Sequence, residues 1–304
     1  MSEAFARASQ TLLVGDMCLE VAPENGGSVV SLRRGDQILM QGRPGEAHLA
    51  CFPMVPYCNR IARGRFSFQG SEVELTPNFP SEVNTIHGMG WQAPWQVTNK
   101  TVDELHLSYE HDAAASAASG WPWTFRATQT FKLTADELVI HLQVTNTSAR
   151  AMPAGLGLHP FFPASEQTFL TSQFSHTLQV DDHWIPTNQI VLGAEGDPFN
   201  GQPVGGQNID NIFLGRRVAP TLQWHNQPWK LRLAASNSLP HTVLYAPQAG
   251  GFLCVEPISH VPNILNASAS IGGLNNAQMQ VQVLGIGESL TGSAGFLTLR
   301  NESL

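Results

Sequence analysis

The sequence predicts an all-β protein, a large antiparallel β-sandwich, and three observations carry that expectation. Short stretches whose apolar residues recur with a period of two appear along nearly the whole chain. No segment holds a 3.6-residue apolar period for three turns, which leaves no helices for βαβ crossovers and makes the sheets antiparallel. Finally, 42% of the 304 residues are hydrophobic, with 15 Phe and 7 Trp, enough to fill the space between two sheets and too much for a disordered chain.

The elements follow in order. Strands are expected at Leu12–Ala22 and Ser28–Arg33. Arg65–Phe68 and Glu72–Leu75 turn Phe66, Phe68, Val73 and Leu75 inward around Gln69-Gly70-Ser71, the pattern of a hairpin. Leu105–Tyr109 and Trp123–Leu133 come next. In Glu137–Thr145, Leu138, Ile140, Leu142 and Val144 share one face, and Trp229, Leu231, Leu233 and Ala235 repeat the arrangement. The remaining strands are Thr221–Trp224, Thr242–Ala246, Phe252–Glu256, Gln280–Leu284 and Gly295–Leu299. Ala113–Ala118 is too short, and too close to Gly120 and Pro122, for a helix. Gly and Pro are spread through the turns rather than gathered in a linker, and no fixed-period repeat occurs, so a single domain spanning 1–304 is expected.

Charge narrows the function. Lys and Arg number 16 against 24 Asp and Glu, a formal charge of −8, and no basic run exceeds a pair. Nucleic-acid affinity comes mainly from clustered cations, so no nucleic-acid partner is expected. Met1 to Asp16 lacks a basic start followed by an apolar stretch, and nowhere do about 18 apolar residues run together. The expectation is a soluble cytoplasmic protein with no membrane partner. Cys18, Cys51, Cys58 and Cys254 form no CxxC pair and read as small buried apolar residues of a reducing compartment.

Four stretches break the strand pattern and set polar residues among Gly, Pro and aromatics, where sites on rigid scaffolds tend to lie. In Phe52–Phe66, two prolines precede Asn59-Arg60; an arginine there offers a planar fork of donors to hydroxyls, or forms a surface ion pair. Ile86-His87-Gly88-Met89-Gly90-Trp91, with Pro94-Trp95 after it, folds tightly beside an imidazole. Gly155–Phe162 ends an apolar run in His159-Pro160. Either histidine taken alone also fits a satisfied core position. In the fourth stretch, Phe252–His260, the alternation puts Glu256 on the same face as Phe252 and Cys254. An unpaired carboxylate facing a core is costly, so Glu256 is either paired or lines a pocket.

One carboxylate and two histidines supply a base, an acid and a further donor, the equipment of general acid–base catalysis. His, His and Glu also suit zinc or iron, yet neither HxH nor HExxH occurs and the three lie far apart in sequence, which weakens the metal reading. A serine nucleophile lacks its GxSxG.

Taken in order, these segments resemble the aldose 1-epimerase, or galactose mutarotase, family over almost the whole chain. The resemblance runs from Pro23–Ser28 through Asn59-Arg60-Ile61, His87-Gly88, Leu158-His159-Pro160-Phe161 and Asp210-Asn211-Ile212-Phe213 to Val255-Glu256-Pro257. It implies a galactose mutarotase-like supersandwich, no cofactor, and interconversion of the α and β anomers of a free aldose; the absence of short-spaced ligand pairs, with chemistry that needs neither redox nor a difficult nucleophile, predicts no metal. By position, Glu256 looks like the family's general base and His159 like its general acid. Arg60, with Asn59 beside it, His87 and Asp210 look like sugar-binding residues. Asp210 is visible only through the resemblance, since Asn208–Asn211 otherwise reads as a turn. The wording around Trp91 and Pro94-Trp95 leans towards a bacterial branch and leaves the sugar open.

The implied chemistry suits these residue types. Opening a pyranose means removing the anomeric hydroxyl proton while protonating the ring oxygen, and a carboxylate and an imidazolium do both from opposite sides of the acetal carbon. A hydroxyl-rich sugar also needs an aromatic platform for its C–H face, for which Trp91 is a candidate. Two alternatives stand beside this reading: a sugar-binding or sensing module that keeps the pocket without turnover, and a hexose 6-phosphate mutarotase using Arg63 and Arg65 or Arg216 and Arg217.

Overall fold

A computed structural model describes residues 9–43, 49–80, 82–116, 120–192, 200–267, 270–271, 274–275, 279 and 281–301. Two runs of antiparallel neighbours form the body. The first passes through Gln96–Lys100, Glu104–His111, Phe125–Leu133, Glu137–Asn146, Ser289–Arg300 and Trp229–Ala235. The second passes through Gln10–Val14, Met17–Ala22, Ser28–Arg34, Cys51–Met54, Gly157–Ala164, Gly251–Ile258 and His241–Ala246. The long strand Ile209–Trp224 belongs to both, pairing through Ile209–Phe213 with the second run and through Thr221–Gln223 with the first. Strands that change sheets in this way make the corners of a sandwich.

Side-chain alternation explains the packing. Leu138, Ile140, Leu142 and Val144 of the first run share one core with Leu158, Leu244, Leu253 and Val255 of the second. Each such fully buried side chain contributes roughly 1.5–3 kcal/mol. The other face of the second run is also covered, by a separate apolar cluster that includes Phe52, Met54, Phe161, Val243 and Cys254. This outer face positions the site.

The all-β expectation is met: among the described residues the helical segments are three-residue turns at Ala62–Gly64, Gly90–Gln92 and Ile264–Asn266. The hairpin forms at Arg65–Phe68 and Ser71–Glu74, its turn made by Gln69 and Gly70 at φ 49° and 80°. Several boundaries differ. Leu12–Ala22 is two strands, because Gly15 takes φ 61° and turns the chain back. Phe252–Glu256 continues to Ile258. Gly155–Phe162, expected as a loop, is a central strand from Gly157, and Asn208–Asn211, which reads as a turn, opens the long strand at Ile209. Within the first looped stretch Cys51–Met54 is a strand, buried at all four positions and so without any alternation to read. Residues 1–8, Ala117, Ala118 and Gln280, on which parts of the sequence reading rest, lie outside the described residues. All four cysteines are buried free thiols. No helix among the described residues is long and apolar enough to cross a membrane.

Candidate active site

On the outer face of the second run, alternate residues of five neighbouring strands form one surface: Phe52, His159 and Phe161, Cys254 and Glu256, Val243 and Tyr245, Asp210 and Ile212. The ladder pairs His159 with Phe52, Phe161 and Tyr245 with Cys254, Glu256 with Val243, and Asp210 with Tyr245. Gly157 opposite Ile258 and Phe161 opposite Cys254 set a register that brings His159 against Glu256. Three prolines help locally. Phe52-Pro53, His159-Pro160 and Glu256-Pro257 each place a pyrrolidine ring after an outward-facing residue, and that ring confines the preceding residue to extended backbone.

Most of these side chains line a cavity of about 310 Å³ that brings together all seven residues singled out from sequence: Asn59, Arg60, His87, Trp91, His159, Asp210 and Glu256. Sequence reasoning missed others, among them Arg43, Phe52, Glu82, Trp184 and Tyr245. Tyr245 and Phe52 follow from alternation once the strands are known. Arg43 and Trp184 lie in irregular segments that give no periodic signal.

The loops are fastened from below. His87 sits at φ 62° between the extended chain and Gly88, where a Cβ would come within 2.1 Å of the Val55 carbonyl oxygen, so only glycine fits. The Asn78 side chain donates to the carbonyls of Ile86 and Gly88 and accepts from the Ile86 N–H, bracing the His87 segment on both sides. His260 Nε2 accepts the Cys58 N–H at 3.2 Å, supporting the segment that carries Asn59 and Arg60. Its Nδ1, 2.9 Å from the Val261 carbonyl oxygen, is the donor. His260 is therefore a structural histidine.

His159 stacks between Phe52 and Phe161, ring centroids 4.4 and 4.6 Å away, and its Nε2 lies 3.1 Å from Glu256 Oε1. Burial moves the two groups in opposite directions. It pushes His159 down to about 3, with Arg43 and Arg60 adding to the effect, and pushes Glu256 well above the usual carboxylate range, with Asp210 adding to it. Both shifts disfavour the charged forms, so burial opposes a permanent ion pair at this contact. Glu256 Oε2 is buried without a hydrogen-bond partner. An orphaned acceptor of this kind costs about 1–3 kcal/mol and marks a place where a ligand's donor belongs. The acid and base expected on opposite sides of the substrate stand side by side on adjacent strands. Two oxygens borne by one carbon are within reach of such neighbours.

Around this pair polar side chains stand among aromatic and aliphatic walls. Arg60 Nε lies 3.1 Å from Glu82 Oε2. Burial raises Asp210 to about 6, Arg60 opposing and Glu82 reinforcing the rise. His87 is pushed well below its ordinary value by burial, then by His159 and Arg60. Trp91, the candidate platform, is 9% exposed and stacked on Phe52 at 5.2 Å, so it is mainly part of the aromatic wall. Arg65 is away from the cavity, exposed and paired with Glu74, and Arg216 is spent on Thr242 Oγ1 and the carbonyls of Ala235 and Leu239.

His159, Cys254 and Glu256 each offer a ligand atom, all within 4.8 Å of one another, a donor set of the kind zinc takes. Thiols ligate as thiolates, and burial pushes Cys254 far above its ordinary value, which opposes that form. The arrangement as folded is a histidine–carboxyl pair beside a buried thiol, equipped to move one proton on and another off a bound ligand.

Comparison with known proteins shows the family. The family model described as Aldose 1-epimerase matches residues 15–285. The chain is 30% identical over 272 residues to the uncharacterized protein YphB of Escherichia coli K12, covering 83% of this chain and 88% of that protein. It is 28% identical over 145 residues to the Aldose 1-epimerase of the same organism, covering 46% and 39%. The crystal structure of a putative aldose 1-epimerase from E. coli K12 superposes with a TM-score of 0.83 at 30% identity, covering 96% of this chain and 99% of that one. The chain belongs to the aldose 1-epimerase family.

Proposed function

We propose that the protein is a mutarotase that interconverts the α and β anomers of a free aldohexose. The observation that supports this most is the His159–Glu256 contact, at 3.1 Å, buried in a cavity that Arg60, Asn59, His87 and Asp210 also line. A proton shift across that contact turns the neutral pair into carboxylate and imidazolium. Glu256 then takes the anomeric hydroxyl proton while His159 protonates the ring oxygen, and the ring opens to the aldehyde. Rotation about C1–C2 and closure on the other face, with the two groups exchanging roles, gives the second anomer. Each positioned acid or base typically contributes about 10²–10⁴-fold.

Arg60, His87, Asn59 and Asp210 orient the sugar's hydroxyls, and the Phe52–Trp91 wall meets its C–H surface. The reaction draws on proton transfer alone, which these residues supply. NMR exchange spectroscopy or polarimetry on a panel of aldoses and their 6-phosphates tests the reading. Accelerated anomer exchange supports it. A chain that binds these sugars without accelerating exchange is a sugar-sensing module instead.

A further inference from the structure

The proposed reaction gives Cys254 no task, yet its sulfur lies within 4.8 Å of the ligand atoms that His159 and Glu256 offer. The sheet sets its place. Cys254 and Glu256 are alternate residues of Gly251–Ile258, so their side chains rise from the same face. His159 comes from the neighbouring strand Gly157–Ala164, whose Phe161 pairs with Cys254. A thiol, an imidazole and a carboxyl thus stand on two paired strands and not on loops. Other cysteines are placed differently: the Cys58 thiol donates to the His260 carbonyl at 3.5 Å, and Cys51 belongs to the opposite core.

The three groups are near the spacing that a small soft cation requires. With bonds of about 2.0 Å to nitrogen or oxygen and about 2.3 Å to sulfur, the ligand atoms of a tetrahedral site sit roughly 3.3–3.8 Å apart. His159 Nε2 and Glu256 Oε1, at 3.1 Å, are already close to that spacing. The sulfur has to close by up to about 1 Å, within reach of a side-chain rotation. Phe52 and Phe161 hold the His159 ring from both faces, at 4.4 and 4.6 Å. Glu256 Oε2 is buried with no hydrogen-bond partner, so no contact of that oxygen resists turning the carboxyl onto a cation.

Charge also balances. His159, Cys254 and Glu256 are 9%, 0% and 2% exposed, and burial favours the neutral form of each. A divalent cation that enters while the thiol and carboxyl protons leave for solvent adds two positive charges and removes two, so the cluster stays neutral. Burial therefore opposes a bare thiolate here without opposing a metal-bound one. Thiolate and imidazole select zinc over magnesium and calcium, which take oxygen ligands.

We propose that His159, Cys254 and Glu256 form an inhibitory zinc site, in which one ion held by Nε2, Sγ and a carboxylate oxygen occupies the acid and the base together and stops exchange until it is removed. Ion and sugar compete, because both need His159 and Glu256. The inhibition rests on the proposed roles of those two residues; the binding does not.

The test uses the full chain freed of metal by a chelator. Zinc in slight molar excess should stop anomer exchange, magnesium at the same concentration should not, and renewed chelation should restore the rate. More sugar should raise the zinc concentration needed. One equivalent of cobalt(II), standing in for zinc, should give a thiolate-to-metal charge-transfer band. Cys254→Ala should lose the band and weaken inhibition, measured against its own uninhibited rate, about a hundredfold, the upper end of what even an outer partner of a metal ligand is worth. Cys254→Ser should match it, which separates ligand loss from a packing defect. Cys18→Ala, whose sulfur lies beside Arg33 instead, should keep both responses. No band, or zinc inhibition equally strong in Cys254→Ala, overturns the site. A band that depends on Cys254 in a protein exchanging no anomers keeps the site and removes the mutarotase reading, whereas exchange untouched by zinc removes the site alone.

Discussion

Asn59 and His87 hold each other through two hydrogen bonds: the Asn59 N–H donates to His87 Nδ1 at 3.2 Å, and the His87 N–H donates to the Asn59 carbonyl at 3.1 Å. Both residues take left-handed backbone conformations, at φ 57° and 62°. With Nδ1 committed as an acceptor, the ring's proton is on Nε2, and His87 is a fixed neutral donor.

Nitrogen-15 NMR of the imidazoles should accordingly show His87 as the Nε2–H tautomer and still neutral at pH 6, because its pKa lies well below the ordinary 6.5. His87→Ala should lower kcat/KM about tenfold, the worth of one good hydrogen bond. Titration of His87 near its ordinary value would contradict the picture.

Glu256→Gln should abolish nearly all exchange activity, a loss of about 10²–10⁴-fold, since the amide keeps the shape but accepts no proton. His159→Asn should behave similarly. Stability should move the other way. A carboxyl whose folded pKa is raised above its unfolded value of 4.5 stabilises fully below that pH, and its contribution is lost as pH rises through the folded value. Glu256→Gln should therefore melt at or above the wild-type temperature at pH 8, the gap growing upward from pH 4.5. A near-wild-type rate in this variant would remove Glu256 from the mechanism.

Asp210, raised to about 6, should give kcat/KM an acidic limb. Below that pH the carboxyl is protonated and a weaker acceptor for sugar hydroxyls, so KM rises as pH falls. Asp210→Asn should weaken binding throughout and lose the limb. A limb persisting at the same pH in that variant would belong to another group.

Extended treatment with a chelator should leave the rate unchanged, because Glu256 and His159 between them supply both proton transfers. A stoichiometric transition metal whose removal stops turnover would make the His159–Cys254–Glu256 cluster a catalytic metal site.

The sequence is legible where burial is one-sided. Glu137–Asn146 alternates because one face meets the core and the other is more open, and its register with Phe125–Leu133 follows. Gly157–Ala164 hides itself, since seven of its eight residues are buried and its two prolines read as loop signals. Glu256 is visible for the opposite reason: a carboxylate in an apolar alternation is a contradiction that only a partner or a pocket resolves. The partner, His159, lies 97 positions earlier, and no local pattern shows that two strands bring them together. Trp184 and Arg43 carry no such contradiction and become visible only when the cavity closes around them.

Neutral aldohexoses should be turned over better than their 6-phosphates. A phosphate held away from water needs convergent cationic donors, and the sequence points to Arg63 and Arg65 beside Arg60. Arg65 is instead exposed, 2.6 Å from Glu74, and Arg63 lines a separate hollow. The second cation in the cavity is Arg43, which sequence reasoning did not single out. Against Arg43 and Arg60 stand Glu82, 3.1 Å from Arg60, and Asp210, so the carboxylates offset the arginines. The whole chain, at a formal −8, adds a long-range field that repels a dianion. Measuring kcat/KM for glucose and galactose against the corresponding 6-phosphates decides the matter: a preference for the phosphates that disappears in Arg43→Ala would mean that Arg43 overrides both carboxylates and that the substrate is anionic.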